Sequence, residues 1–142
     1  MKFIVLIYND PEMLGKVPPT AFNSTMRDCL THADEMQHRG RLHQSEMLED
    51  PSTARTFRIR KGKKTVLDGP FAETKEVLGG FNIIEAADMD DAMRIAEECP
   101  WAELGAIEVR PIREINTVRR AVGLPVRQRR EPGPDALEDL RR

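Results

Sequence analysis

The chain has 142 residues, of which 39% are hydrophobic and 32% charged, two cysteines, and a formal net charge of −2. A chain of this length makes one domain that buries about two-thirds of its unfolded surface, so neither disulfides nor a metal is needed to hold the fold. The near-neutral charge argues against direct nucleic-acid binding, and the longest apolar run, Phe3 to Tyr8, is far too short to cross a bilayer, so neither a membrane nor secretion is expected.

Apart from Lys2, residues 2–8 are apolar without alternation, the pattern of a strand covered on both faces. Residues 9–19 carry Asn-Asp-Pro, Gly15 and Pro18-Pro19 and read as a loop. A helix is expected over 21–39, with Thr20 as N-cap, an apolar stripe of Phe22, Met26, Cys29, Leu30, Ala33 and Met36, and Gly40 past its end. Strands are expected over 42–48 and 54–60, and the turn Lys61-Gly62-Lys63 leads into a further strand over 64–67. After Asp68-Gly69-Pro70, residues 72–78 suggest one or two helical turns, and Gly79-Gly80 releases the chain into a strand over 81–86. Asp88 caps a second helix that presents Ala92, Ile95, Ala96 and Cys99 to the core before Pro100, and 106–112 is the last strand.

This order is α+β and ferredoxin-like, a mostly antiparallel sheet with its helices on one face. Two helices cover one face only, yet the first strand is apolar on both. A second copy of the chain is the simplest cover, so a homodimer enclosing a cavity between two sheets is expected. Residues 1–112 form this domain, with a net charge of −5; residues 113–142 form an Arg-rich extension of net +3. In the extension, Ile115, Val118 and Val122 suggest a short amphipathic helix lying on a partner subunit, and disorder or loose docking is expected beyond Gly123. Cys29 and Cys99 lack metal-ligand spacing and read as reduced, buried thiols of a cytoplasmic protein.

The segment Asp68-Gly69-Pro70-Phe71-Ala72-Glu73-Thr74-Lys75-Glu76, followed by Leu78-Gly79-Gly80-Phe81 and by Glu108-Val109-Arg110-Pro111, resembles the DGPF subgroup of YCII-related proteins over about residues 1–112. The resemblance implies a dimeric α/β-barrel. It also implies two functional directions, since the wider family includes proposed small-molecule enzymes using a His-Asp pair, whereas DGPF members resemble proteins linked to extracytoplasmic-function sigma factors.

The residues leave the role of the motif open. Asp68 is either a turn-former accepting backbone N–H bonds, with Phe71 as a core anchor, or a desolvated carboxylate acting as general base. Glu46, placed on a strand face with two leucines, is either paired with an arginine or perturbed, and so joins Asp68 among the catalytic candidates. Lys75 and Arg110 are solvated charges or the rim that holds an anionic ligand. Glu108 and Arg110 share a strand face and are placed to pair. Phe71 and Tyr8 complete the ligand-contacting candidates, with His43, which would enter the cavity beside Ser45.

His32 flanks the apolar stripe four residues after Asp28, where a His-Asp pair would supply acid–base catalysis, against the plainer reading of a half-buried ring. His38 points away from the core. Arg55, Arg58, Arg60, Lys61, Lys63 and Lys64 put six cations on one hairpin, read either as protection of an exposed edge or as a nucleic-acid ribbon. Arg127, Arg129 and Arg130 suit an acidic protein partner. The residues hold no redox-cofactor motif, phosphate loop or metal cluster, so no cofactor is expected. Two functions follow. One is binding or acid–base transformation of a small polar metabolite in a cavity lined by Asp68, Glu46 and Arg110. The other is a non-catalytic accessory role in transcriptional regulation, linked through the resemblance to a sigma factor.

Overall fold

Strand β1 (Lys2–Asn9) sends Phe3, Val5 and Ile7 to one face and Ile4, Leu6 and Tyr8 to the other, and the domain is built around this split. The computed structural model describes residues 1–128 and divides the chain into two units, Met1–Ile112 and Arg113–Arg142. In the first unit β1 is followed by α1 (Pro11–Gly15), α2 (Pro19–His38), β2 (Leu42–Met47), a 3-10 turn (Pro51–Thr53), β3 (Arg55–Arg60) and β4 (Lys63–Asp68). Then come β5 (Val77–Glu85), α3 (Met89–Glu97), a second 3-10 turn (Pro100–Leu104) and β6 (Gly105–Pro111). The unit is α+β, with an antiparallel four-stranded sheet in the order β2-β5-β1-β6; β3 and β4 pair only with each other, as a separate hairpin.

Both long helices pack on the Phe3 face. Met36 of α2 and Ala92, Ile95 and Ala96 of α3 join Phe3, Val5 and Ile84 in one buried cluster, with Ile7, Leu42, Ile107 and Val109 around it. Phe3 and Ile84 are directly opposite across β1 and β5 and are fully buried. On the opposite face Ile4, Leu6, Phe81 and Ile83 are half-buried.

Several expectations are corrected. Residues 11–15 are helical because the Asp10 carboxylate caps Glu12 and Met13 and Pro11 takes the first position. Helix α2 opens on Pro19, with Pro18 rather than Thr20 at the cap position and no side-chain cap bond. Residues 72–76 form no helix. Strand β5 begins at Val77, because Val77 and Leu78 pair with Asn9 and Tyr8. Gly79-Gly80 lies inside this strand, since a Cβ on Gly80 would sit 2.6 Å from the Glu46 carbonyl oxygen. The glycines there allow close approach of β2.

The second unit holds α4 (Ile115–Ala121), capped by the Glu114 carboxylate, which accepts from the Thr117 N–H. Residues past Gly123 are tied back within the unit as far as residue 128. Arg119 donates to the Pro125 carbonyl at 2.7 Å, and the Arg127 N–H donates to the Asn116 side chain at 2.8 Å. Arg129 and Arg130 lie outside the described residues. No helix among the described residues is long and apolar enough to cross a membrane.

Candidate functional site

The last residues of β1 and the first of β5 build one wall of a cavity. A register shift between Ile7 and Tyr8 sets Tyr8 opposite Leu78, and both side chains border the space. The second wall follows β2, where Leu48, Glu49, Asp50 and Pro51 turn away from the sheet. Asp50 fixes that turn by accepting from the Ser52 N–H at 2.9 Å, and its hydrogen bonds with Ser52 hold its carboxyl below the ordinary value. The third wall is Pro70, Phe71 and Ala72 of the Asp-Gly-Pro-Phe segment.

Two bonds bring that segment into place. The Gly69 N–H donates to the Ala54 carbonyl at 2.7 Å, and the Thr56 hydroxyl donates to the Gly69 carbonyl at 2.9 Å. Gly69 has φ of 105°, a conformation that glycine adopts without steric cost. Beyond it, the Arg58 guanidinium stacks over the Phe71 ring at 4.5 Å. This open-sided cleft holds about 580 Å³, within the range of small-molecule sites. An adjoining space of about 410 Å³ lies against the same Leu48–Pro51 and Val77–Leu78 stretches, with Asn9, Pro11 and Leu14 beyond them.

A smaller cavity of about 100 Å³ lies between α2 and the sheet, bordered by Met26, Cys29, His32, Ser45, Cys99 and Trp101 among others. It has room for several waters or one small ligand group. Cys29 and Cys99 both border it, and burial, then the neighbouring Cys99, push the Cys29 thiol up to about 11. Trp101 closes one end, its indole N–H donating to the Asn9 side chain and its ring packed edge-on against Phe22 at 5.4 Å. No group of three or more His, Cys, Asp or Glu side chains placed to hold a metal ion occurs among the described residues.

Residues 1–116 match the YCII-related domain family. The chain belongs to that family. An uncharacterized protein of Rhizobium meliloti (strain 1021) is 35% identical over 114 residues, covering 79% of this chain and 92% of the relative. Among solved structures, the chain is similar to 5-chloro-2-hydroxyhydroquinone dehydrochlorinase from Burkholderia phenoliruptrix AC1100 in complex with 2,5-dihydroxybenzoquinone. That similarity is at 17% identity and a TM-score of 0.48, over 80% of this chain and 94% of the other.

In this YCII-related domain, Tyr8 and Phe71 reach the large cavity, and the other candidates do not. Asp68 sits at the end of β4 with its side chain 86% exposed, 3.3 Å from Arg55, so of its two readings the desolvated carboxylate is not the one this surface position provides. Phe71 is 67% exposed rather than anchored in the core, because the tight turn at Gly69 swings it outward over Arg58. Lys75 reaches back to Asp10 at 4.0 Å. Arg110 donates to Glu108 at 3.0 Å.

A register shift in β2 between Leu42 and Gln44 redirects the remaining candidates. It turns His43 to Glu85 at 2.9 Å, on the face opposite Ser45, so the two do not meet. The same shift takes Glu46 off the face of Leu42; Glu46 borders the small cavity and accepts from the Gln44 amide at 3.4 Å. His32 pairs with Glu98 at 3.0 Å rather than with Asp28, because α2 faces the end of α3 at that height.

Residues overlooked in the sequence include Asp10 and the Leu48–Ala54 wall. Both Asp10-Pro11 and Asp50-Pro51-Ser52 have the form of a capping aspartate before a proline, a readable signal for fixed local structure.

Proposed function

We propose that this YCII-related domain, of the DGPF subgroup, binds a small molecule in the cavity of about 580 Å³ between Tyr8 and the Asp-Gly-Pro-Phe segment. The observation that carries this reading is the convergence of three separate stretches, Tyr8 of β1, Leu48–Ala54 and Pro70–Leu78, on one ligand-sized space. Tyr8, Leu48, Pro51, Phe71 and Leu78 give it apolar walls, and Glu49, Asp50 and Glu76 give it acceptors. The ligand that suits these walls has an apolar body and hydrogen-bond donors. The chemistry that such side chains support is proton transfer, with a carboxylate as base and the Tyr8 hydroxyl as donor.

The ferredoxin-like frame acts in this reading as a homodimer of the dimeric α/β-barrel type, paired through the face that carries Ile4, Leu6, Phe81 and Ile83. The Glu108–Arg110 pair then lies at the interface rather than on the ligand. Free Cys29 and Cys99 suit the reducing cytoplasm.

The test is a thermal-shift screen of a metabolite collection against the wild type, Phe71→Ala and Glu76→Gln, both positions being on the cavity wall and outside the buried core. A compound that raises the wild-type melting temperature in proportion to its concentration, and does so less in both variants, supports the reading. If every hit stabilises wild type and variants equally, or no compound binds, the cavity is not the site. The accessory role beside a sigma factor then takes precedence.

A further inference from the structure

The β3–β4 hairpin presents two unlike faces. One carries the directly opposed pairs Arg55–Asp68, Phe57–Val66 and Ile59–Lys64; the other carries Thr56, Arg58 and Arg60 with Leu67, Thr65 and Lys63. The second face has a neighbour in its own chain, since Arg58 stacks on Phe71. The first has an apolar centre of Phe57 at 65% exposure and Ile59 and Val66 at 56% each. A two-stranded ribbon in water is marginally stable at best and needs a cover for its apolar side, and a contiguous exposed apolar patch ringed by charge is the mark of an interaction surface.

Charge identifies the cover. Residues 55–68 hold six cations and one carboxylate, Asp68, whereas the rest of residues 1–112 holds eight cations and eighteen carboxylates. A strongly basic arm on a strongly acidic body is complementary to another copy of itself. The body also offers exposed apolar side chains beside acids: Met47 and Leu48, at the end of edge strand β2, are flanked by Glu46, Glu49 and Asp50.

We propose that the β3–β4 hairpin is a dimerisation arm, whose Phe57–Ile59–Val66 face packs on a second copy of this chain and whose Arg55 and Lys64 on that face, with Lys61 at the turn, meet the acidic residues around that copy's Met47 and Leu48. Six cations on a ribbon also fit a polyanion. The apolar centre on the face free of Phe71 favours a protein surface, and the second copy supplies both the apolar and the acidic component.

The experiment is sedimentation equilibrium at two salt concentrations on the wild type and on the double variant Phe57→Asp, Ile59→Asp, with circular dichroism as the folding control. The arm predicts a wild-type dimer that weakens as salt rises, and a folded variant whose dimer dissociation constant is at least about tenfold higher, the change that loss of one good apolar contact produces. A monomeric wild type overturns it. So does a folded variant that dimerises like the wild type, an outcome that leaves pairing through the Ile4–Leu6 face standing and removes only the arm.

If the variant fails to fold, carbodiimide coupling of a mixture of isotopically labelled and unlabelled wild type decides the matter. Mixed-isotope peptides joining Lys61 or Lys64 to Glu46, Glu49 or Asp50 support the arm. Their absence overturns it.

Discussion

Asp10 and Lys75 tie the end of β1 to the segment that follows the Asp-Gly-Pro-Phe turn. The Asp10 carboxylate is buried, accepts from the N–H of Glu12 at 3.0 Å and of Met13 at 3.4 Å, and holds the Lys75 ammonium at 4.0 Å. The cap is the larger contribution, because Lys75 is itself exposed and an exposed ion pair adds little. Asp10→Ala is expected to cost about 1 kcal/mol, a fall of roughly 4 °C in melting temperature for a domain of this size. Lys75→Met should cost clearly less, as measured by thermal denaturation; equal losses would mean that the ion pair, not the cap, dominates.

Gly105 opens β6 directly against Tyr8. A Cβ there would stand 1.8 Å from the Tyr8 carbonyl oxygen, a backbone atom that cannot turn aside. Gly105→Ala therefore forces the two strands apart beside the cavity wall. The expected loss is about 1–3 kcal/mol, as for other overpacked sites, read from urea denaturation midpoints. A variant as stable as the wild type would show that β6 is free to shift.

Asp91 sets an acid dependence. The Ala87 N–H at 2.9 Å, with Arg94 at 3.0 Å and Arg41 at 3.6 Å, holds its carboxyl below the ordinary 3.8, the backbone bond contributing most. A carboxyl held lower in the folded than in the unfolded chain adds stability that is complete above the unfolded value and fades as pH falls through the folded one. Asp91→Asn should melt below the wild type at neutral pH, and the gap should narrow as pH falls below the ordinary 3.8. Melting curves across that range check it, and a gap that widens in acid would refute the sign.

Cys29, raised to about 11, is expected to alkylate slowly in the native protein. Its thiolate fraction at neutral pH is roughly a hundredfold below that of an ordinary cysteine, so its rate with iodoacetamide should keep rising about tenfold per pH unit through about pH 10. Peptide mass spectrometry after timed labelling measures this. Levelling near pH 9 would mean that the thiol is not held up by its surroundings.

How far the sequence was legible follows from the range of the interactions involved. Strand β1 and helix α3 were readable because their apolar residues recur with one local period, and Asp88 caps α3 through the Asp91 N–H, as its position suggests. Strand β5 was read four residues short. Gly79-Gly80 looks like a break until the Glu46 carbonyl, a partner in another strand, is in view. The β2 register shift is likewise a property of a strand pair. It separated His43 from Ser45 and moved Glu46 off the Leu42 face, where alternation alone joined them. The motif was recognisable as a motif, but the surroundings of Asp68 and Phe71 depend on Ala54, Arg55 and Arg58, which only folding brings near.

The excursion between β2 and β5 has a consequence for how such a protein changes. Met47 lies opposite Gly80, and the Leu48 N–H donates to the Gly79 carbonyl at 2.8 Å, so the chain leaves the sheet at this rung, close to Val77, where it rejoins. Everything from Glu49 to Glu76 is suspended from that rung like a cassette. It can be lengthened, shortened or exchanged without shifting the pairing of any strand of the main sheet. That stretch supplies two of the three cavity walls and the whole basic hairpin. On the proposed readings of the cavity and the hairpin, ligand preference and subunit contacts can therefore diverge together between descendants of one ancestor while the frame that carries them stays the same.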